Sequence, residues 1–162
     1  MIRVAILTVS DGCAAGTRED VSGARLAQAV RELGWSVVES RVVPDEIPAI
    51  LVALEDLSGA DVVLTTGGTG VAPRDVTPEA TRQFSSREVP GLAELMRAEG
   101  RKSTKFAPLS RGTAVTRGRT LVINLPGSPR GALESLQAVS ELVPHVVDLL
   151  HGRTEHSRKP ST

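Results

Sequence analysis

The sequence predicts one α/β domain built on a mostly parallel sheet. Three observations carry that prediction. Apolar, β-rich runs alternate with stretches of helical periodicity through the first half of the chain, the pattern of βαβ units. Hydrophobic residues make up 40% of the 162 positions and charged residues 23%, which suits a single core of ordinary size. Two further strand-like runs flank Arg117-Gly118 closely enough to form a hairpin, so the sheet is not expected to be purely parallel.

The elements follow in order. Ile2 to Ser10 (IRVAILTVS) reads as a buried strand that ends in a loop at Asp11-Gly12. DVSGARLAQAVRELG reads as a helix: Asp20 or Ser22 can cap it, Leu26, Ala29, Val30 and Leu33 form its apolar stripe, and Gly34 ends it. Ser36 to Val43 is the second strand. PDEIPAILVALEDLSG gives a second helix, with Pro48 tolerable in its first turn. ADVVLTT is the third strand and runs into a glycine loop. TPEATRQFSSRE and PGLAELMRAEG are two helical stretches split at Val89-Pro90. GTAVTRGRTLVINLP holds the hairpin-like pair. SPRGALESLQAVSELVPHVVDLLHG is a final helix, kinked or broken at Pro144. The domain spans residues 1–150, and residues 151–162 are expected to be a flexible polar tail.

Composition excludes several functions. The formal net charge is zero and there are only three aromatics, Trp35, Phe84 and Phe106, so neither a basic field nor a stacking platform for nucleic acid is expected. The single cysteine, Cys13, allows no intrachain disulfide and points to a reducing, cytoplasmic setting. No histidine lies near it in sequence, so a catalytic thiol is not expected. His145, His151 and His156 have the wrong spacing for a metal cluster. No apolar run approaches the roughly 20 residues that span a bilayer. The chain also opens directly on a strand, so neither a membrane anchor nor a signal peptide is expected.

In open α/β sheets ligands bind outside the carboxyl ends of the strands. Four such ends carry SDGCAAG, PDE, GGTGVAPRD and NLPGSPR, all rich in Gly, Pro, Ser, Thr or Asp. In the third, Gly67, Gly68 and Gly70 can expose backbone N–H groups as an anion nest, or simply make a tight turn. The loop lacks the Gly-Lys-Ser/Thr of a P-loop, and Pro73 stands where a dinucleotide fingerprint needs its third glycine. Asp75 precedes the next helix and has no capping role. A phosphate beside it implies a compensating cation, with Mg²⁺ the usual choice. Thr77 reads as an N-cap, Pro78 as the first helical residue and Glu79 as a first-turn acid opposing the helix dipole. Ser128 and Pro129 repeat the cap, and Arg130 either faces an anion or is merely solvated. Asp45 and Glu46 suit a helix start, yet Asp45 is also where a second carboxylate would enter the crevice. Two carboxylates converging on phosphates suit metal-assisted phosphoryl or nucleotidyl transfer. Ser10 and Asp11 belong to the first loop, where a plain turn also accounts for them.

Taken in order, LTVSDG, DVSGARLAQAV, VVPDE, LTTGGTGVAPRDVTPEAT, VPGLAELMR and INLPGSPRGALESL resemble the MogA/MoaB-type molybdopterin-binding domain, also found as the gephyrin G domain. The resemblance covers about Ile2 to Leu150 and implies a three-layer α/β/α sandwich that assembles as a homo-oligomer, most often a homotrimer. It implies molybdopterin adenylyltransfer: the terminal phosphate of molybdopterin attacks the α-phosphate of Mg-ATP, giving adenylylated molybdopterin and pyrophosphate. A separate protein would then insert molybdate. By matched position, Asp75 is an essential carboxylate, a metal ligand or phosphate organiser, and Asp45 is its catalytic companion. Thr66, Gly67, Gly68, Thr69 and Gly70 match the substrate-binding loop, which Thr77, Pro78 and Glu79 continue. Ser10 and Asp11 match the first loop, and Pro126, Gly127 and Ser128 the last. A non-catalytic pterin-binding or delivery protein of the same fold is the alternative, and an enzyme of another phosphate ester a weaker one.

Overall fold

The strand β1 (Arg3–Val9) lies inside the sheet of the computed structural model, which describes residues 1–154. Of the tail expected over residues 151–162, residues 155–162, His156 among them, lie outside the described residues, whereas the backbone N–H groups of His151, Gly152 and Arg153 donate to the carbonyls of Val147, Leu149 and Asp148. Strand β1 leads through a one-turn helix, α1 (Asp11–Ala14), to α2 (Val21–Glu32), β2 (Ser36–Val43), α3 (Ile47–Leu57) and β3 (Val62–Thr66). Then come α4 (Thr77–Phe84), β4 (Arg87–Glu88), α5 (Pro90–Gly100), a 3-10 turn (Ala107–Leu109), β5 (Ala114–Arg117), β6 (Thr120–Leu125), α6 (Pro129–Val139) and α7 (Val143–Leu150). Among the described residues the strands form one sheet in the order β2-β1-β3-β6-β5-β4. The first four are parallel neighbours, while β5 and β4 join antiparallel. Thus β1, β3 and β6 send their carboxyl ends to one edge.

Strand alternation builds two cores. Val4, Ile6, Val62, Leu64, Leu121 and Ile123 face Leu26 and Val30 of α2, with α5, α6 and α7 completing that layer. Ala5, Leu7, Val9, Val63 and Val122 face Ile50 and Leu54 of α3 and Ala80 and Phe84 of α4. This is the three-layer sandwich that the family resemblance implied.

Three local expectations need correction. The helix expected to run from Thr77 to Glu88 stops at Phe84. Ser85 turns extended, and Arg87-Glu88 pairs with Thr116 and Val115, because the exposed edge of β5 offers unpaired backbone groups. The final helix breaks between Val139 and Val143 rather than at Pro144, which sits in the first turn of α7, where a missing N–H costs nothing. Thr77 is not a cap: Val76 holds that position, and the Thr77 hydroxyl donates to the Gly67 carbonyl at 2.9 Å. The other caps stand as read. Asp20 accepts from Gly23 N at 2.9 Å and Ser128 from Gly131 N at 3.1 Å. At the amino ends of the strands, far from these loops, the His151 ring lies 2.9 Å from Asp61 beside Met1 and Ile2.

Candidate active site

A cleft of about 560 Å³ opens at the carboxyl ends of β1, β3 and β6. Of the residues singled out in the sequence, it brings together Ser10, Asp45, Thr66, Gly67, Gly68, Asp75, Gly127 and Ser128. Thr8, Cys13, Arg18, Asp20 and Ser22 line it as well. Asp11, Thr69, Gly70 and Glu79 do not line the cleft, Thr77 and Pro78 are buried, and Pro126 opens onto a second, mostly apolar cavity of about 270 Å³ that shares Ser128. Arg130 turns away to pair with Glu134 at 2.9 Å on the exposed face of α6.

The glycine loop is fixed from below. Gly67 and Gly68 have φ of 104° and 67°, conformations that L side chains rarely adopt. A Cβ on Gly67 would lie 2.2 Å from the Val9 carbonyl oxygen, and one on Gly68 would lie 2.3 Å from Thr77 Oγ1 and 3.1 Å from Asp45 Oδ1. The turn therefore brings bare backbone against both β1 and Asp45. Thr66 Oγ1 donates to the Pro126 carbonyl at 2.7 Å and Ser22 Oγ to the Gly127 carbonyl at 2.6 Å, so β3 and α2 both hold the last loop. Under the loop, buried Asn124 donates to Thr65 and Thr81 at 3.0 and 2.9 Å and accepts from Thr113 N at 3.2 Å. Such a satisfied polar knot rigidifies what rests on it.

The acids divide into two kinds. Asp11 and Asp45 bond reciprocally: Asp11 N donates to Asp45 Oδ2 at 2.8 Å, and Asp45 N donates to Asp11 Oδ1 at 3.0 Å. Arg74 grips Asp11 with Nε at 3.0 Å and Nη2 at 2.8 Å, and this pairing lowers the Asp11 pKa. Asp45 moves the other way. Burial raises its pKa first, and the charges of Asp11 and Asp75 add to the rise. Glu79 stands outside the Asp11–Asp45 pair. It binds Arg111, whose guanidinium holds the Glu79 carboxyl below its usual range. Sequence reasoning misses Arg111, because a single arginine in a polar loop carries no signal of a distant partner.

Asp45 and Asp75 give a donor set that suits Mg²⁺, which takes one or two carboxylates and completes its shell with phosphate oxygens and water. Among the described residues no group of three His, Cys, Asp or Glu could enclose a metal unaided. Asp45, charged at a cost beside two other acids, is the kind of group that a cation relieves.

Residues 5–145 match the model of a probable molybdopterin-binding domain. The chain is 40% identical over 156 residues to molybdopterin adenylyltransferase of Helicobacter pylori strain J99, covering 93% of this chain and 89% of that protein. It is 44% identical over 153 residues to the molybdenum cofactor synthesis protein cinnamon of Drosophila melanogaster. That match takes in 92% of this chain but only 26% of the fly protein. Among solved structures, the molybdopterin biosynthesis enzyme MoaB of Thermus thermophilus superposes with a TM-score of 0.87 at 51% identity, covering 94% of this chain and 98% of that one.

Proposed function

The chain belongs to the molybdopterin-binding domain family, and from that premise we infer that it is a nucleotidyltransferase of molybdenum cofactor biosynthesis, adenylylating molybdopterin with ATP. The observation that carries this reading is the meeting of two carboxylates, Asp45 and Asp75, with the bare backbone of Gly67-Gly68 in one cleft. In the reaction a terminal phosphate oxygen of molybdopterin forms a bond to the α-phosphorus of ATP, and the bond to pyrophosphate breaks. The glycine loop and the amino ends of α2 and α6 border the cleft with backbone donors suited to phosphate oxygens. Thr66 and Ser22 hold the last loop in place while both substrates are aligned. Asp75 and Asp45 would hold Mg²⁺, which when bound offsets the charge of the triphosphate.

The protein works in the cytoplasm as a homotrimer and hands its product to a separate molybdate-inserting protein. Among the described residues no helix is long and apolar enough to cross a membrane. Exposed apolar side chains such as Val38, Val52, Phe106 and Leu109 support burial against further copies.

The test is direct. Purified protein given Mg-ATP and molybdopterin forms adenylylated molybdopterin and pyrophosphate. Asp75→Asn and Asp45→Asn each lower turnover by about 100-fold or more, the scale of losing several kcal/mol of charge stabilisation. Wild-type protein that binds the pterin yet never consumes ATP would overturn the reading in favour of a binding or delivery protein.

A further inference from the structure

Asp75 belongs to a loop that buries little and, apart from the exposed Arg74–Asp11 pair, has little reason of its own to hold one shape. Val71, Ala72, Pro73 and Arg74 are all exposed, Val71 at 71%. A segment that buries so little is drawn from the low-stability end of a structure. Within the loop, Asp75 N donates to the Ala72 carbonyl at 2.9 Å, and Ala72 N donates to Asp75 Oδ2 at 3.0 Å. One carboxylate oxygen is thus committed to the turn, which leaves Oδ1 for the cleft that Asp75 lines.

Arg111 brackets that turn from outside. Its Nε donates to the Gly70 carbonyl at 2.7 Å, its Nη2 to the Asp75 carbonyl at 2.7 Å and its Nη1 to the Glu79 carboxylate. Its own backbone N–H donates to the Thr69 carbonyl at 2.8 Å. One planar fork therefore fixes both ends of the Gly70–Asp75 turn against the first turn of α4. Arg111 is itself anchored. Arg97 of α5 donates through Nη1 to the Gly112 carbonyl at 2.9 Å and the Ser110 carbonyl at 3.3 Å. The two arginines connect helix α5 to the loop that presents Asp75.

We propose that Arg111 is a positioning residue for adenylyl transfer, clamping the Gly70–Asp75 turn so that the Asp75 carboxylate stands ready in the cleft. Glu79 then acts by orienting Arg111 rather than by touching substrate. The proposal rests on the reaction inferred above. A guanidinium makes these three contacts from one rigid plane, whereas an ammonium on a flexible stem cannot.

Arg111→Met, Arg111→Lys and Glu79→Gln test it by steady-state kinetics and by hydrogen exchange at individual amides. Arg111→Met lowers kcat about 100-fold, the scale expected for misplacing a reacting group by around 1 Å. Its KM for ATP stays within about threefold, because no ground-state contact is lost. Arg111→Lys recovers only a small part of the rate. The amides of Ala72 and Asp75 exchange faster in both variants, while that of Leu64 in β3 does not change. Unchanged kcat per folded molecule, a rise in KM alone, or full recovery by lysine would each overturn the clamp. If Arg111→Met does not fold, Glu79→Gln decides, with an expected fall of about 10-fold in kcat, roughly the value of one charge-assisted hydrogen bond, and faster Ala72 exchange. If wild-type protein transfers no adenylyl group, the reaction is misassigned. The exchange comparison then still judges the clamp, and equal rates in wild type and variant overturn it.

Discussion

Asp45 keeps one carboxylate oxygen on the Asp11 amide, while burial and the charges of Asp11 and Asp75 raise its proton affinity. Its folded-state pKa therefore lies above that of the unfolded chain. The folded protein holds this proton more tightly, so stability is favoured at acid pH and declines as pH rises through the raised folded value. Asparagine at this position removes the charge and can still accept from Asp11 N. Without metal, Asp45→Asn should melt at a higher temperature than the parent at pH 7, with the gain shrinking toward the ordinary aspartate range near about pH 4. A lower or equal melting temperature at pH 7, measured with chelator present, would refute this. Asp45 and Asp75 are legible in the sequence because each follows the end of a strand, at the edge where ligands bind. Glu79 is legible only as a helix-start acid. Its partner Arg111 lies 32 positions away, and no local pattern connects the two.

Helix α4 shows what periodicity can and cannot tell. Thr-Pro-Glu suits a cap and so places the start one residue late, because the Thr77 hydroxyl is occupied by the Gly67 carbonyl and Val76 takes the cap position. Periodicity also places the end four residues late, because Ser85 to Glu88 has nothing against helix except an edge strand waiting for a partner. Local sequence does not carry that information: pairing with β5 outweighs propensity. The parallel strands β1, β2 and β3, by contrast, can be placed from their apolar, β-branched runs alone. Phe84 closes α4 at 3% exposure, and the Arg117 guanidinium lies 4.5 Å from its ring centre. Phe84→Ala should cost about 3–5 kcal/mol in denaturant unfolding, the usual range for a buried phenylalanine. A loss below about 1 kcal/mol would show that this corner of the core collapses to fill the gap.

At the scale of the molecule, two apolar layers sandwich a sheet whose carboxyl edge carries the chemistry. The α/β class is legible because the alternation of strands and helices is written along the chain. The order of the strands is not, because register across a sheet depends on contacts distant in sequence. Assembly also belongs to this scale. Light scattering should return a mass of three times the 17.1 kDa chain, and a mass of one chain would contradict the trimer. Met1 and His151 line one cavity beside Asp61, which has another consequence. Both ends of the described chain emerge together, on the side facing away from the cleft. A loop joining them would make the fold circular without touching a residue of the cleft. By the same geometry, chain added before Met1 starts on the side away from the substrates, so such a domain can be carried within a larger polypeptide and keep its entrance open.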